Sequence, residues 1–249
     1  MQKISAVIIA KNEEDKISDC LRSVGWVEEI LVIDSGSSDK TKYISKKLGA
    51  KVLEYNGGSY SEWRNYGLQK SRGDWIFYID ADERCSEGLR KEISEVIYGN
   101  GKIGAYAIPR ENIILGKVMR HGGWWPDFVK RLYMRGVLKK WSGELHEEPE
   151  YTGELGHLKN PLIHQKQNTL SQMLEKTNSW SLVEAKLMYD AKHPKMNLIR
   201  FTTAIFREFN KRMFVEKAFL DGSEGIVYAI YQTYSRFISY AKLWELQNN

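Results

Sequence analysis

The 249-residue chain carries 37 Lys or Arg against 32 Asp or Glu, a formal net charge of +5, and is 42% hydrophobic. That balance fits one large core, or one core plus a helical appendage, and argues against a disordered or fibrous chain. Its two cysteines, Cys20 and Cys85, form no C-x-x-C pair, which argues against a disulfide framework or a zinc site and fits a reducing compartment.

The chain opens on a compact apolar run, Ile4–Ala10, typical of a strand buried on both faces. It shows no charged, apolar and cleavable leader before that strand, and no run reaches the roughly 20 apolar residues that span a bilayer. A helix is expected from Glu13 to Val24, with Ile17, Leu21 and Val24 at helical spacing. Glu29–Ile33 reads as a second strand running into Asp34-Ser35-Gly36-Ser37-Ser38-Asp39, and Lys40 to Leu48 as a helix with Asp39 as its N-cap. A third strand at Lys51–Tyr55, a helix at Ser61–Ser71, a strand at Trp75–Ile79 and a helix at Glu87–Tyr98 complete this half. Strands alternating with helices predict a parallel sheet covered on both faces, with ligands at its C-terminal strand edge.

That edge carries the most informative residues of the chain. The strand at 75–79 ends in Asp80-Ala81-Asp82-Glu83, and Asp34 leaves the sheet on the same side. Clustered carboxylates repel one another, and a hard divalent cation removes that repulsion while completing its shell with phosphate oxygens. The pattern therefore suggests a metal holding a phosphorylated substrate, set against a plain Asp-rich turn.

From Gly101 to Gln165 the pattern breaks into short strand-like pieces, Ala105–Pro109, Leu132–Tyr133 and Leu162–His164, between loops rich in glycine and tryptophan. From Leu170 onward it is helical. Leu170, Met173, Leu174 and Thr177 form one stripe, and Ile226, Ile230, Tyr234, Phe237, Ile238 and Ala241 another, both read as core or partner-facing packing. Between Lys186 and Lys217, eight Lys or Arg against three Asp or Glu are interleaved with Phe201, Phe206, Phe209, Met213 and Phe214. Basic and aromatic residues at helical spacing fit an anionic membrane surface, with a solvated basic helix as the alternative. No nucleic-acid-binding motif is present, so nucleic acid is not an expected partner.

Four ordered motifs carry a family resemblance: Ala-Val-Ile-Ile-Ala-Lys-Asn-Glu-Glu at 6–14, Val-Ile-Asp-Ser-Gly-Ser-Ser-Asp-Lys-Thr at 32–41, Arg-Asn-x-Gly at 64–67 and Gly-Asp-Trp-Ile-Phe-Tyr-Ile-Asp-Ala-Asp-Glu at 73–83. Together they resemble the family 2 inverting glycosyltransferases of the GT-A fold, over roughly residues 1–165. The resemblance implies a Rossmann-like, mostly parallel sheet flanked by helices, followed by a helical C-terminal region at 166–249 for membrane-surface, acceptor or dimer contacts. It implies a nucleotide-sugar site built from Ala10, Asn12, Glu13, Asp34, Ser35, Arg64, Asp80 and Ala81. Asp34 would accept the uracil N–H, Arg64 would meet the nucleotide or its diphosphate, and Asp80 would lie near the ribose. Asp82 would hold Mg²⁺ or Mn²⁺, with His164 as a second metal or diphosphate contact and Glu83 in a supporting place.

An inverting transferase also needs a base to take the acceptor proton. The resemblance assigns it to Glu147, with Glu148 and then Glu144 as alternatives in the acidic segment 141–148, and His146 beside it to orient the base or touch the diphosphate. Trp124, Trp125 and Trp141 are candidates for stacking on a sugar or for core packing. Lys130 and Arg131 are read as solvated surface, or else as contacts to an anionic acceptor. Lys217–Ile226 and Tyr240–Leu246 resemble the lipopolysaccharide-core β-1,4-glucosyltransferase branch. That implies a UDP-linked glucose donor, a glycan or glycolipid acceptor, a homodimer as an open question, and a cytoplasmic enzyme peripheral on the inner membrane face. A nucleotidyltransferase and a non-catalytic membrane-associated scaffold are the competing readings.

Overall fold

A computed structural model describes residues 2–99, 101, 103–143, 147–166 and 169–249. It divides into two compact units, one of 1–110 with 127–164 and the other of 111–126 with 165–249.

In the first unit, β1 (Ile4–Ala10), β2 (Glu29–Asp34), β3 (Lys51–Glu54) and β4 (Trp75–Asp80) lie parallel in the order β3-β2-β1-β4. Every residue of β1 is buried, as its unbroken apolar run requires of a central strand covered on both sides. Alternate residues feed the two faces: Ala6, Ile8, Val32, Phe77 and Ile79 pack on one, and Val7, Leu31, Ile33, Ile76 and Tyr78 on the other. The helices α1 (Ile17–Ser23), α2 (Thr41–Lys47), α3 (Tyr60–Lys70) and α4 (Glu87–Tyr98) connect or follow these strands. Beyond β4 the sheet turns antiparallel through β8 (Asp127–Met134) and β6 (Ala105–Ile114), then reaches β12 (Leu162–Gln165) and β5 (Glu83–Cys85). A hairpin of β9 (Leu138–Ser142) and β10 (Glu148–Tyr151) stands apart, and β11 (Leu155–His157) joins β6.

Two local expectations are corrected. The first helix begins at Ile17 rather than Glu13, because residues 11–16 form a turn in which Asn12 takes a left-handed φ of 55°. Asp39 does not occupy the N-cap of α2. It lies one residue earlier and uses one carboxylate oxygen for the Thr41 N–H (2.9 Å) and the other for the Glu14 N–H (3.1 Å), tying two loops together.

In the second unit, α5 (Leu170–Asp190), α6 (Leu198–Asn210) and α7 (Gly222–Asn248) accompany the short strand β7 (Lys117–Val118). Thr169 and Asn197 cap α5 and α6 through their side chains. Asp221 sits at the N-cap of α7 but turns its carboxylate to the Arg120 and His121 N–H groups and to His121 Nδ1 at 2.9 Å. The two predicted stripes divide between core and surface. Met173 and Thr177 are buried, whereas Leu170 and Leu174 are exposed, and so are Ile226, Ile230, Tyr234 and Phe237. Helix α7 instead buries Gly225, Tyr228, Ala229, Thr233, Ser239 and Leu243. Among the described residues, no helix is long and apolar enough to cross a membrane.

Candidate active site

Strand register brings the sequence motifs to one edge. Ala10 pairs with Asp34 and Ile9 with Asp80, so the ends of β1, β2 and β4 are neighbours. Asn12, in a conformation that asparagine tolerates, donates its N–H to Ser37 Oγ (2.9 Å) and accepts the Ser38 N–H on Oδ1 (2.9 Å). Glu13 donates its N–H to Thr41 Oγ1 at 2.8 Å, and Ser35 donates its N–H to Ala10 O at 3.1 Å. Asp34 is wholly buried. Its Oδ1 accepts the Gly36 and Ser37 N–H groups at 3.1 and 2.9 Å, while Oδ2 has no hydrogen-bond partner among the described residues. A buried carboxylate oxygen left unpaired is costly, and a ligand N–H would satisfy it.

Helix α3 is held close to the sheet at Gly67, where an added Cβ would stand 2.3 Å from Val7 Cγ1. Two residues earlier, Asn65 bonds the Trp141 backbone in both directions, its Nδ2 donating to the carbonyl and its Oδ1 accepting from the N–H. The Arg-Asn-x-Gly motif is therefore a docking device, and what it docks is Arg64. This guanidinium lies 4.9 Å from the Trp141 ring and is 2% exposed. Its Nη2 donates to Asp80 Oδ1 (3.0 Å) and its Nε to Glu147 Oε1 (3.0 Å), whereas Nη1 is buried without a hydrogen-bond partner among the described residues.

Asp80 is bridged again on Oδ2 by Arg131 Nη2, which also reaches Glu83 Oε1 at 3.2 Å. Glu83 is fully enclosed, accepts the Asp80 N–H at 2.9 Å and faces Arg110 Nη1 at 3.6 Å. Burial by itself raises the Asp80 pKa. The Arg131, Arg64 and Arg110 guanidinium groups outweigh it and hold the carboxyl well below the ordinary range. The turn itself is locked by Arg84, which donates to the Ala81, Glu83 and Lys16 carbonyls at 3.0, 2.8 and 2.7 Å.

Asp82 pairs with a histidine instead of an arginine. Its Oδ2 lies 3.4 Å from His164 Nε2, which the pairing of β12 with β5 places opposite Glu83. Burial pushes the Asp82 carboxyl up, but the hydrogen bond and charge of His164 bring it below its usual value. A hard cation commonly takes one or two protein ligands and completes its shell with phosphate oxygens. Asp82 with His164 fits that demand, whereas Asp80, engaged on both oxygens by arginine, does not. No group of three or more potential metal ligands occurs among the described residues.

Sequence reasoning missed three residues here. Arg131, expected at the surface, is buried because it points inward from β8, beside β4. Arg110 and Arg84 gave no local signal at all. Trp141 is core, packed edge-on to Tyr78 at 5.0 Å and Tyr133 at 6.0 Å, so it is not available to stack on a sugar. Glu148 is 71% exposed and paired with Lys130 at 2.7 Å, while Glu144 and His146 lie outside the described residues. Trp124 and Trp125 belong to the second unit, where Lys166 lies 4.0 Å over one ring and Arg120 lies 4.5 Å over the other.

Parallel βαβ units with charged side chains at their C-terminal edge define an α/β protein of the Rossmann-like class, in which ligands lie at that edge. The model of glycosyl transferase family 2 matches residues 5–149, and the chain belongs to that family, as an enzyme of the GT-A fold. A protein of Rickettsia felis described as an uncharacterized glycosyltransferase is 30% identical over 98% of this chain and 90% of its own length. The lipopolysaccharide core biosynthesis glycosyltransferase LpsC of Rhizobium meliloti is 26% identical, covering 97% of this chain and 92% of its own. Among solved structures, glucosyl-3-phosphoglycerate synthase of Mycobacterium tuberculosis, crystallised with Mn²⁺, UDP and glucosyl-3-phosphoglycerate, aligns with a TM-score of 0.48. Its identity is 18%, with coverage of 78% of this chain and 81% of that one.

Proposed function

We propose that this glycosyltransferase moves a sugar, glucose as the leading choice, from a UDP-sugar to a hydroxyl of an envelope glycan or glycolipid such as lipopolysaccharide core, with inversion. The observation that carries the reading is the pairing of two unsatisfied buried groups, Asp34 Oδ2 and Arg64 Nη1, with Asp82 and His164 in the same unit. Asp34 offers an acceptor for a base N–H, and Arg64 Nη1 a donor for a phosphate oxygen. Asp82 and His164 would hold Mg²⁺ or Mn²⁺, which when bound supplies neutralisation of the diphosphate leaving group. Glu147 takes the proton of the attacking hydroxyl as the new C–O bond forms and the anomeric carbon–phosphate oxygen bond breaks, its electron pair leaving on the diphosphate.

The lipopolysaccharide assignment draws on the name of the Rhizobium relative. A lipid-anchored acceptor is further supported by the second unit, whose α6 exposes Leu198, Ile199 and Phe206 beside Arg200 and Arg207, with Phe214 and Val215 exposed after it. Such a face suits the inner, anionic surface of the cytoplasmic membrane. A homodimer through the exposed α7 residues is the competing use of that unit.

Thermal shift with UDP, GDP and ADP sugars, with and without Mn²⁺, tests the donor, and an NMR assay of the anomeric product tests inversion. UDP-sugars should stabilise most, and only with metal; Asp82→Ala should abolish transfer. Full activity in EDTA, or a product with retained configuration, would refute the reading. Failure to sediment with anionic vesicles at low salt would remove the membrane part.

A further inference from the structure

We infer that Arg64 and Glu147 form a latch that the donor opens: the guanidinium that holds Glu147 in the donor-free site is surrendered to the diphosphate, which releases the carboxylate. The inference deepens the proposed function and rests on its placing of the diphosphate near Arg64.

The two carboxylates that share Arg64 are not equivalent. Asp80 has a second guanidinium, Arg131, on its other oxygen, and a third in Arg110 within electrostatic reach. Glu147 takes its ion pair from Arg64, through Nε at 3.0 Å. A shift of Arg64 therefore leaves Asp80 neutralised and strips Glu147 of its bound cation. The guanidinium also has a reason to shift. Nη1 is buried and lacks an acceptor among the described residues, which is costly for a charged donor. A phosphate oxygen meets Nη1 with a stronger, charge-assisted bond, and its charge competes with Glu147 for the same cation. The rings of Trp141 and Tyr78 lie 4.9 and 5.6 Å from the guanidinium carbon and pack against it.

In the donor-free enzyme, Glu147 is thus held as an ion-pair partner. Once the diphosphate engages Arg64, the carboxylate is free to turn to an acceptor hydroxyl. The device makes Arg64 a positioning residue for the base.

The test is a double-mutant cycle in binding, which needs no turnover. Affinity for UDP, and for pyrophosphate as a nucleotide-independent probe, is measured by calorimetry with Mn²⁺ for the wild type, Glu147→Gln, Arg64→Gln and the double variant. Glu147→Gln removes the internal competitor, so it should bind both probes about five- to tenfold more tightly, in line with the worth of one partly buried ion pair. In the Arg64→Gln background the same change should have no effect. Unchanged or weaker binding in Glu147→Gln, or an equal effect in both backgrounds, would overturn the latch. Failure of the wild type to bind either probe would overturn the diphosphate site as well. If Glu147→Gln tightens binding yet retains full transfer, the latch stands and the assignment of Glu147 as base falls.

Discussion

Replacing Arg131 with methionine probes the charge cluster that fixes the carboxylate turn. The methionine fills most of the volume but removes the charge, so Asp80 Oδ2 and Glu83 Oε1 both lose a bond. Partners remain: Arg64 on Asp80 at 3.0 Å, and for Glu83 the Asp80 N–H at 2.9 Å and Arg110 at 3.6 Å. Removing one member of a buried ion pair costs about 3–5 kcal/mol, and the surviving partners point to the lower end. In a chain of this size each kcal/mol moves the melting temperature by about 2–4 °C, so a fall of about 6–12 °C is expected. Circular dichroism at neutral pH reads it directly. The sign with pH follows from the same geometry. Without Arg131, Asp80 loses the guanidinium that does most to hold its carboxyl below the ordinary range, so the wild type gives up more stability in acid than the variant does. The deficit should shrink as the pH falls below about 4, and Glu83→Gln added to Arg131→Met should recover part of it by removing a buried charge that has lost a partner. A variant that melts within about 2 °C of the wild type, or a deficit that grows on acidification, would refute the reasoning.

Gly67→Ala places a methyl group 2.3 Å from Val7 Cγ1, and forcing α3 off β1 should cost about 1–3 kcal/mol in urea unfolding while weakening UDP binding through Arg64. Both thiols are buried and free, with Cys20 raised well above its usual pKa and Cys85 pushed up to about 12 by burial. Ellman's reagent should therefore label neither until the chain unfolds. Asp80 and Asp82 have folded pKa values below the unfolded one, so their stabilisation is complete above about pH 4 and is lost as the pH falls further. Wild type should lose stability more steeply than Asp80→Asn below that point, as read by urea midpoints across the acid range.

The local code in the first hundred residues was strong because parallel strands buried on both faces must be continuous apolar runs, and because carboxylates at their ends stand out against that background. Ile4–Ala10, Trp75–Asp80 and Glu87–Tyr98 are legible for that reason, and so is the gathering of Asp34, Asp80 and Asp82 at one edge. Helix starts were less legible. Residues 11–16 have helix-compatible spacing, but the side chains of Ser37, Thr41 and Asp39 draw their N–H groups into loop-to-loop bonds instead.

The charge partners were a different matter. Arg64 meets Glu147 across 83 residues, and Arg131 meets Glu83 across 48, through strands that the sequence presented only as short fragments. Whether Arg131 faces solvent or the carboxylate turn depends on the pairing of β8 with β4, and a shift of one residue would turn it outward. Trp141 was equally undecided until its hairpin met Tyr78 and Tyr133. The sequence by itself determined the four parallel strands of the first hundred residues and the carboxylates at their ends, since periodicity and composition act locally. Only the tertiary structure decided which cations neutralise those carboxylates and that Arg64 joins the turn to Glu147, because such pairings are properties of register between distant segments.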